Sequence, residues 1–301
     1  MKEKGRNLPA SVQQRLRNRV LRTGEDLQYV LMRYAVERLL YRLSRSDFAD
    51  EVVVKGAMLF LVWAGEAYRA TKDLDLMGRR RHPAGELAAM FQSVCRVAVE
   101  DDGLVFRAET VQVEEIREDN EYGGLRVKLE ARLGNVKIPV QVDVGFGDVV
   151  TPKAQAVDFP VLLDSPAPHV AVYPRETAIA EKFETVVRRG MLNSRMKDYY
   201  DMWVMAQEFG FDGETLQAAI RATFKRRKTP LPTEAPFGLT AEFAADAMKQ
   251  TQWRAFTGKS KLRLKEPDFG KVVDAIREFL MPVVTASVPY TGQWPKGGSW
   301  R

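Results

Sequence analysis

The spacing of apolar residues divides the chain into a helical start, a strand-rich middle and a helical second half. Apolar residues three and four positions apart predict helices, whereas short β-branched or alternating runs predict strands. Helices are predicted over residues 11–24, 27–43, 57–63, 85–99, 174–190, 197–209, 213–226, 240–249 and 269–280, and strands over 52–54, 105–116, 124–132 and 136–146, with a further short strand at 74–76.

These elements predict an α/β (α+β) protein whose core, from about residue 46 to 160, is a mixed sheet with helices. N-terminal helices pack on this core, and a helical half follows it. We therefore expect two domains, residues 1–160 and 161–301. The Pro-rich stretch 230–236 is predicted to be a loop, and the end of the chain an irregular tail.

With 301 residues and 45% apolar content, the chain can bury a substantial core. No apolar run approaches the roughly 20 residues that span a bilayer, and the charged residues 1–6 are not followed by a signal-peptide-like stretch. We expect a cytoplasmic protein with no membrane partner.

One cysteine and two histidines cannot form a zinc cluster. A catalytic metal would therefore be Mg²⁺ or Mn²⁺ held by oxygen.

Lysine and arginine exceed aspartate and glutamate by 46 to 40, which gives a formal net charge of +6. The basic residues cluster at 79–81, 188–189, 225–228 and 259–265. These clusters favour a polyanionic partner, although solvated basic faces are the alternative.

Two aspartates, Asp73 and Asp75, are the first candidates for chemistry. In an extended segment alternate side chains share a face, so both carboxylates point one way while Leu74 and Leu76 point into a core. Adjacent like charges repel, and a divalent cation between them would remove that repulsion. The spacing is common by chance, so a further ligand would strengthen the prediction of a metal site.

That further ligand is predicted to be Asp143, which lies in a segment where Val142 and Val144 alternate with polar residues as in a strand. Three carboxylates on adjacent strands suit two-metal phosphoryl transfer. The alternative is that Asp143 is only an exposed strand residue. Glu130 and Asp148 are weaker candidates for the same role.

Upstream of the aspartates, Lys55, Gly56 and Ala57 are predicted to turn a strand into a helix whose backbone N–H groups could bind a phosphate. The glycine would allow close approach of the phosphate. An ordinary turn is the alternative, because the Walker pattern is absent.

Charged residues also occur at unexpected positions in the second half. Arg175, Lys182 and Arg189 are seven residues apart on one predicted helix and would form a cationic ridge, which either binds nucleotide phosphate or covers apolar surface.

Asp198 shares its helix face with apolar residues, so its buried carboxylate would need a cation. It would pair with Lys182, orient an attacking hydroxyl or face the helix dipole. Asp201 is the alternate acid.

Together these segments resemble the nucleotidyltransferase toxins of the AbiEii/AbiGii family, which includes the MenT toxins. The likeness covers most of the chain. It includes the N-terminal helices, Val-Val-Lys-Gly-Ala-Met-Leu-Phe at 53–60, Asp-x-Asp at 73–75, Glu-Lys-Phe-Glu at 181–184, Arg-Met-Lys-Asp-Tyr-Tyr-Asp at 195–201 and Trp-Pro-Lys-Gly-Gly-Ser-Trp at 294–300.

The resemblance implies a polymerase-β-type nucleotidyltransferase core, magnesium, a nucleoside triphosphate donor and a cognate antitoxin protein. In MenT-like members the acceptor is the 3′ end of tRNA, whose extension blocks aminoacylation and translation. Carried over by position, Asp73 and Asp75 hold the metal, Lys182 binds phosphate and Asp198 is the catalytic acid of the second half. The family's Gly-Ser is replaced by Gly56-Ala57, and Thr71 is the candidate for the missing hydroxyl.

Two other functions stay open beside this metal-dependent nucleotidyltransferase. One is transfer of a nucleoside monophosphate to a protein or small-molecule hydroxyl. The other is a non-catalytic nucleotide- or RNA-binding module, against which the intact Asp73, Asp75 and Lys182 argue.

Overall fold

A computed structural model of the chain describes residues 7–116, 123–266 and 268–301. The charged residues 1–6, on which the expected location partly depends, lie outside this described part. In chain order the elements are α1 (Leu8–Thr23), α2 (Leu27–Ser44), β1 (Val52–Lys55), α3 (Leu59–Ala64), β2 (Asp73–Gly78), α4 (Ala84–Arg96), β3 (Leu104–Ile116), β4 (Gly124–Leu133), β5 (Val136–Phe146), β6 (Gln155–Asp158), β7 (His169–Val172), α5 (Arg175–Arg189), α6 (Met196–Glu208), β8 (Phe211–Asp212), α7 (Gly213–Arg227), α8 (Ala241–Ala245), α9 (Ala247–Lys259), α10 (Phe269–Thr285) and β9 (Gln293–Trp294).

Seven strands form one sheet in the order β3-β4-β5-β2-β1-β7-β6. β2 runs parallel to β5, and β1 runs parallel to β7. β1 with β2, β3 with β4, and β4 with β5 are antiparallel. The predicted mixed sheet is therefore confirmed, with helices both before and after it.

The chain groups into two compact units. The first contains the residues through Glu66, Thr71–Gly147 and Ala156–Val172, and the second contains Ala67–Ala70, Asp148–Gln155 and Tyr173–Arg301. The boundary expected between residues 160 and 161 stays a prediction. No helix in the described part of the chain is long and apolar enough to cross a lipid bilayer.

In the first unit, alternation along the strands separates a buried face of the sheet from an open one. Every second residue of β4 and β5 is buried, from Leu125 to Leu133 and from Ile138 to Phe146. Because successive side chains of a strand point to opposite faces, the polar residues between them share the open face. Helices α1, α2 and α4 pack against this sheet and complete the core.

Helix α2 buries charged side chains that its sequence pattern does not explain. Arg38 and Arg42 donate to the Asp102 carboxylate, Arg42 Nη1 at 2.6 Å, and all three side chains are buried. Glu37 accepts from the backbone N–H of Leu162 at 3.0 Å. Burial raises the pKa of Glu37 to about 8. These contacts connect α2 to the segment before β3, which contains Asp102, and to the segment between β6 and β7, which contains Leu162.

The second unit corrects two predictions about the C-terminal helices. The helix predicted over 240–249 is two helices, α8 and α9, because Asp246 accepts hydrogen bonds from Met248 N and Lys249 N and so starts a new helix. α9 then continues to Lys259, and α10 continues through Pro282 to Thr285.

The predicted irregular tail contains one short strand, β9, and its first residues still belong to α10. β9 pairs with β8, and Trp294 Nε1 donates to Ala206 O at 2.7 Å. The rings of Trp294 and Trp300 both pack on Phe279, with ring centroids 4.9 and 5.9 Å away. Aromatic packing of this kind buries large areas, which explains why the tail is ordered against helices of its own unit.

Candidate active site

The two aspartates of β2 lie on the open face of the sheet, half-buried, while Leu74 and Leu76 are fully buried on the opposite face. The predicted alternation is therefore confirmed. Side chains two residues apart on a strand lie next to each other on the same face, so β2 holds the two carboxylates side by side.

The register of four strands aligns a row of charged residues across this face. Asp75 lies opposite Lys55 on β1 and opposite Asp143 on β5, and Asp143 lies opposite Arg126 on β4. Paired residues of adjacent strands have Cβ atoms about 5 Å apart. The row therefore brings the predicted Lys55, Asp75 and Asp143 together and adds Arg126, which the sequence analysis missed.

Gly56, directly after β1, allows its backbone to approach Asp75 very closely. A Cβ added at Gly56 would lie 2.0 Å from Asp75 Oδ2 and 2.7 Å from its Cγ, far inside van der Waals contact. Gly56 also has φ +79°, a conformation that favours glycine. The turn therefore fixes the position of the Asp75 carboxylate, and only glycine fits it.

The helix after this turn begins slightly later than predicted. α3 begins at Leu59, two residues later than expected. The backbone N–H groups of Leu59, Phe60 and Leu61 donate to the carbonyls of residues 56–58. A phosphate at this turn would therefore have to be bound by the N–H groups of the turn itself. Lys55 and Gly56 as nucleotide-binding residues stay predictions.

Thr71 lies two residues before the start of β2. Its hydroxyl donates to the carbonyl oxygen of Asp73 at 3.4 Å and is half-buried. The proposed replacement of the family's serine by Thr71 stays a prediction.

Asp143 shares the aspartate face, but both of its oxygens accept hydrogen bonds from Arg126. Arg126 Nε lies 2.8 Å from Asp143 Oδ1, and Nη2 lies 2.8 Å from Oδ2. This is a side-on bidentate pair, the strongest geometry between these groups. The weaker candidates are also paired, Glu130 with Arg132 and Asp148 with Arg227. Asp143 as a third metal ligand stays a prediction.

The carboxylates of β2 suit a hard divalent cation. Mg²⁺ at nucleotide sites is held by one or two carboxylates together with substrate phosphates and water, rather than by a full set of protein ligands. Within residues 7–116, 123–266 and 268–301, no group of three or more His, Cys, Asp or Glu side chains could hold a metal ion. Asp73 and Asp75 as metal ligands stay a prediction.

In the second unit, Lys182 lies between two buried acids. Its Nζ donates to Asp198 Oδ1 at 3.2 Å and to Asp201 Oδ2 at 2.9 Å. Arg195 Nε donates to Asp198 Oδ2, and Arg69 donates through Nε and Nη2 to both oxygens of Asp201. The predicted pairing of Lys182 with Asp198 is present, and Asp201, the predicted alternate, belongs to the same cluster.

These ion pairs keep both acids charged despite their burial. Burial alone would raise the pKa of Asp198, but Lys182 and Arg195 outweigh it and hold that pKa well below its usual range. Likewise burial opposes ionisation of Asp201, and Arg69 and Lys182 lower its pKa. Both carboxylates are therefore charged. Asp198 as the catalytic acid of the second half stays a prediction.

We expect Asp201→Asn to lower the free energy of unfolding by about 2 kcal/mol at pH 7, because Lys182 and Arg69 lose a buried counter-charge. The lowered pKa means that the carboxylate stabilises the fold above the ordinary aspartate pKa and stops doing so as pH falls through the lowered value. The difference from wild type, measured by urea unfolding, should therefore shrink below pH about 4. Asp274→Asn, at an exposed ion pair, is the control. A difference that stays constant down to pH 3 would contradict this assignment.

The three basic residues predicted to form a ridge have different surroundings. The Arg175 guanidinium lies 5.1 Å from the ring centroid of Phe209 and 5.5 Å from that of Phe211. Arg189 is half-buried at the end of α5. Of the three, Lys182 is the one that contacts the buried acids. Arg175 and Arg189 as nucleotide-site residues stay predictions.

Three arginines of these clusters were not identified from the sequence. Arg195 lies three residues before Asp198, a helical spacing that could have indicated it. Arg126 occupies a polar position of an alternating strand. The alternation predicts on which face of the sheet Arg126 lies, but it does not predict which residue it pairs with. Arg69 is 132 residues from Asp201, so no local pattern connects them.

Comparison with known proteins gives one family and two remote structures. Residues 38–275 match the family described as the nucleotidyl transferase AbiEii toxin of a type IV toxin–antitoxin system. A crystal structure from H. pylori, titled as a candidate nucleotidyltransferase, is 12% identical and covers 82% of this chain and 93% of its own, with a TM-score of 0.47.

JHP933 from Helicobacter pylori is 11% identical and covers 81% of this chain and 90% of its own, with a TM-score of 0.41. Similarities at this level carry no weight for function. No curated protein matches the chain.

Proposed function

Because the chain belongs to the AbiEii family of nucleotidyl transferase toxins, matched over residues 38–275, we propose that it transfers a nucleoside monophosphate from a nucleoside triphosphate to the 3′ end of tRNA. The modified tRNA could then not be aminoacylated, which would stop translation. The family is that of a type IV toxin–antitoxin system, so an antitoxin partner goes with it. We place the reaction in the cytoplasm.

The observation that carries the proposal is the pair Asp73 and Asp75 on the open face of β2, with Gly56 held against the Asp75 carboxylate. Two acids on one face of a strand repel each other, and a cation bound between them would remove that repulsion.

Asp73 and Asp75 are the residues that would hold Mg²⁺ or Mn²⁺. When bound, such an ion neutralises charge on the triphosphate and on the leaving pyrophosphate. In the reaction, the acceptor hydroxyl oxygen bonds to the α-phosphorus, the bond from that phosphorus to the pyrophosphate oxygen breaks, and the hydroxyl proton passes to solvent water. Lys55, opposite Asp75 in the register, would supply a positive charge for the phosphates.

Lys182 and Asp198 are proposed to serve the same reaction, on the basis of the family resemblance. The support from geometry is the fixed position of the Lys182 ammonium, which two acids hold in place. Burial lowers the pKa of Lys182, but Asp201 and Asp198 more than reverse this, so the ammonium stays charged. A charged, immobile lysine is suited to a phosphate oxygen and unsuited to accepting a proton.

The test offers each of four α-labelled nucleoside triphosphates, with Mg²⁺, to the purified chain together with total RNA or with a protein lysate. We expect label in the tRNA fraction from one or more nucleotides, none after addition of EDTA, and none with Asp73→Ala. Label in protein or in small molecules would replace tRNA as the acceptor. Metal-dependent nucleotide binding without any labelled product would show a binding module and overturn the enzyme.

A further inference from the structure

The inference concerns Arg126 and Asp143 on the open face of the first unit, and it rests on the proposed function. We propose that Asp143 is a positioning residue rather than a metal ligand, and that the arginine it holds, Arg126, binds the triphosphate of the nucleotide. Arg126 would then be a substrate-contacting residue on β4.

The first argument is the geometry of the pair. Asp143 engages Nε and Nη2 of Arg126 at 2.8 Å each. A guanidinium has five N–H donors in one plane. The side-on pairing therefore leaves Nη1 and the second hydrogen of Nη2 directed away from Asp143. Gln141 Nε2 also donates to Asp143 Oδ1 at 3.4 Å, so the carboxylate is held from two sides.

The second argument is the placement of Arg126 in the charged row. Asp143 lies between Arg126 and Asp75 in the register, and Lys55 closes the row on the other side. From β1 to β4 the row has a cation at each end and the aspartates in the middle, and Glu114 on β3 lies opposite Arg126 beyond that end. A triphosphate carried by a metal on Asp73 and Asp75 would have Lys55 on one flank and Arg126 on the other.

The third argument is the charge count of the two adjacent rows on this face. They contain four carboxylates and three cations, which are Asp73, Asp75, Glu114, Asp143, Lys55, Arg126 and Lys128. These two rows therefore have an excess of one negative charge. A divalent cation would turn this into an excess of one positive charge. The two rows are then suited to an anion only once the metal is present.

The electrostatics agree with a charged Arg126 beside Asp143. The hydrogen bonds that Arg126 donates to Asp143 raise the pKa of Arg126 most, partial burial lowers it, and attraction to Asp143, Asp73 and Glu114 raises it further. The side chain keeps about a third of its surface exposed, 32%, while that of Asp143 keeps 19%. The arginine is therefore accessible to a ligand and the aspartate is mostly covered.

The experiment uses the full chain and two probes that need no knowledge of the base: Mn²⁺ alone, followed by electron paramagnetic resonance, and inorganic tripolyphosphate with Mn²⁺, followed by calorimetry. The variants are Arg126→Gln, Asp143→Asn, the double variant and Asp75→Asn. Arg132→Gln, at a paired arginine on the same face of β4, is the matched control. Thermal unfolding checks that each variant is folded.

We expect Arg126→Gln and Asp143→Asn to bind Mn²⁺ as wild type does, and each to bind tripolyphosphate about tenfold more weakly. The double variant should be no weaker than either single one, because both remove the same contact. Arg126→Lys should recover part of the affinity, since it keeps the charge without the planar fork. Asp75→Asn should lose Mn²⁺, and Arg132→Gln should change neither affinity.

Two results would overturn the inference. Loss of Mn²⁺ by Asp143→Asn, to the extent seen for Asp75→Asn, would make Asp143 a third metal ligand. Unchanged tripolyphosphate binding by Arg126→Gln would remove Arg126 from the anion site. Both readouts are binding measurements, so they are separate from failure of the proposed function, which would appear as absence of labelled product with the wild-type chain.

Discussion

Replacing Asp75 by asparagine is expected to reduce nucleotidyl transfer by at least about 10³-fold, equivalent to about 4 kcal/mol in the activation free energy. The amide has the shape of the carboxylate but no charge, so it cannot balance a divalent cation. Leu74 and Leu76, on the buried face, are untouched by the change. Activity would be measured with saturating Mg²⁺, using whichever nucleotide the labelling experiment identifies.

The same substitution should leave stability nearly unchanged, within about 1 kcal/mol, because it removes one of several like charges from the aspartate face. Loss of activity without loss of stability is the signature of a site residue. Asp158→Asn, at an exposed aspartate of the same unit, is the control and should retain full activity. Asp75→Asn protein with more than a tenth of wild-type activity would remove Asp75 from the site.

Replacing Gly56 by alanine is expected to reduce transfer about 10²-fold, because the added Cβ would lie 2.0 Å from Asp75 Oδ2 and must displace the carboxylate. A misplacement of about 1 Å at a reacting centre is sufficient for such a loss. The neighbour in conflict is a short side chain fixed on a strand, so it has little freedom to move aside.

Gly65→Ala is a matched control for the backbone part of this effect. Gly65 has φ +75°, close to the +79° of Gly56, and an added Cβ there would meet nothing within 4 Å. Both variants should lose about 1 kcal/mol of stability because a non-glycine residue is strained at this φ. Only Gly56→Ala should lose activity. Equal activities for the two variants would show that the close approach has no functional role.

The local sequence was enough to predict which face the two aspartates occupy. A strand repeats every two residues, so the alternation of Asp73, Leu74, Asp75 and Leu76 determines their directions wherever the strand is placed. The same reasoning predicted the long strands of the sheet and most helices of the second half. Burial of Asp198 also followed from its apolar neighbours one helical turn away.

The error at the end of the chain occurred because a distant segment changed the local outcome. The tail was expected to be irregular because of its prolines, but β9 pairs with β8 and the tryptophans pack on Phe279. These contacts have no periodic signal in the sequence. The division of the helix predicted over 240–249, by contrast, follows from a local cap at Asp246.

The sequence by itself therefore determined the element types, the mixed composition of the sheet and the face of Asp73 and Asp75, because these depend on periodicity and residue chemistry. Only the tertiary structure decided the partners. The register of β4 with β5 places Arg126 opposite Asp143, and the register of β2 with β1 places Asp75 opposite Lys55. The pairing of β2 with β5 brings these two pairs together. Arg69 reaches Asp201 across 132 residues. Pairings of this kind depend on which chain segments become neighbours in space, and that is set by packing of the whole unit rather than by any local pattern.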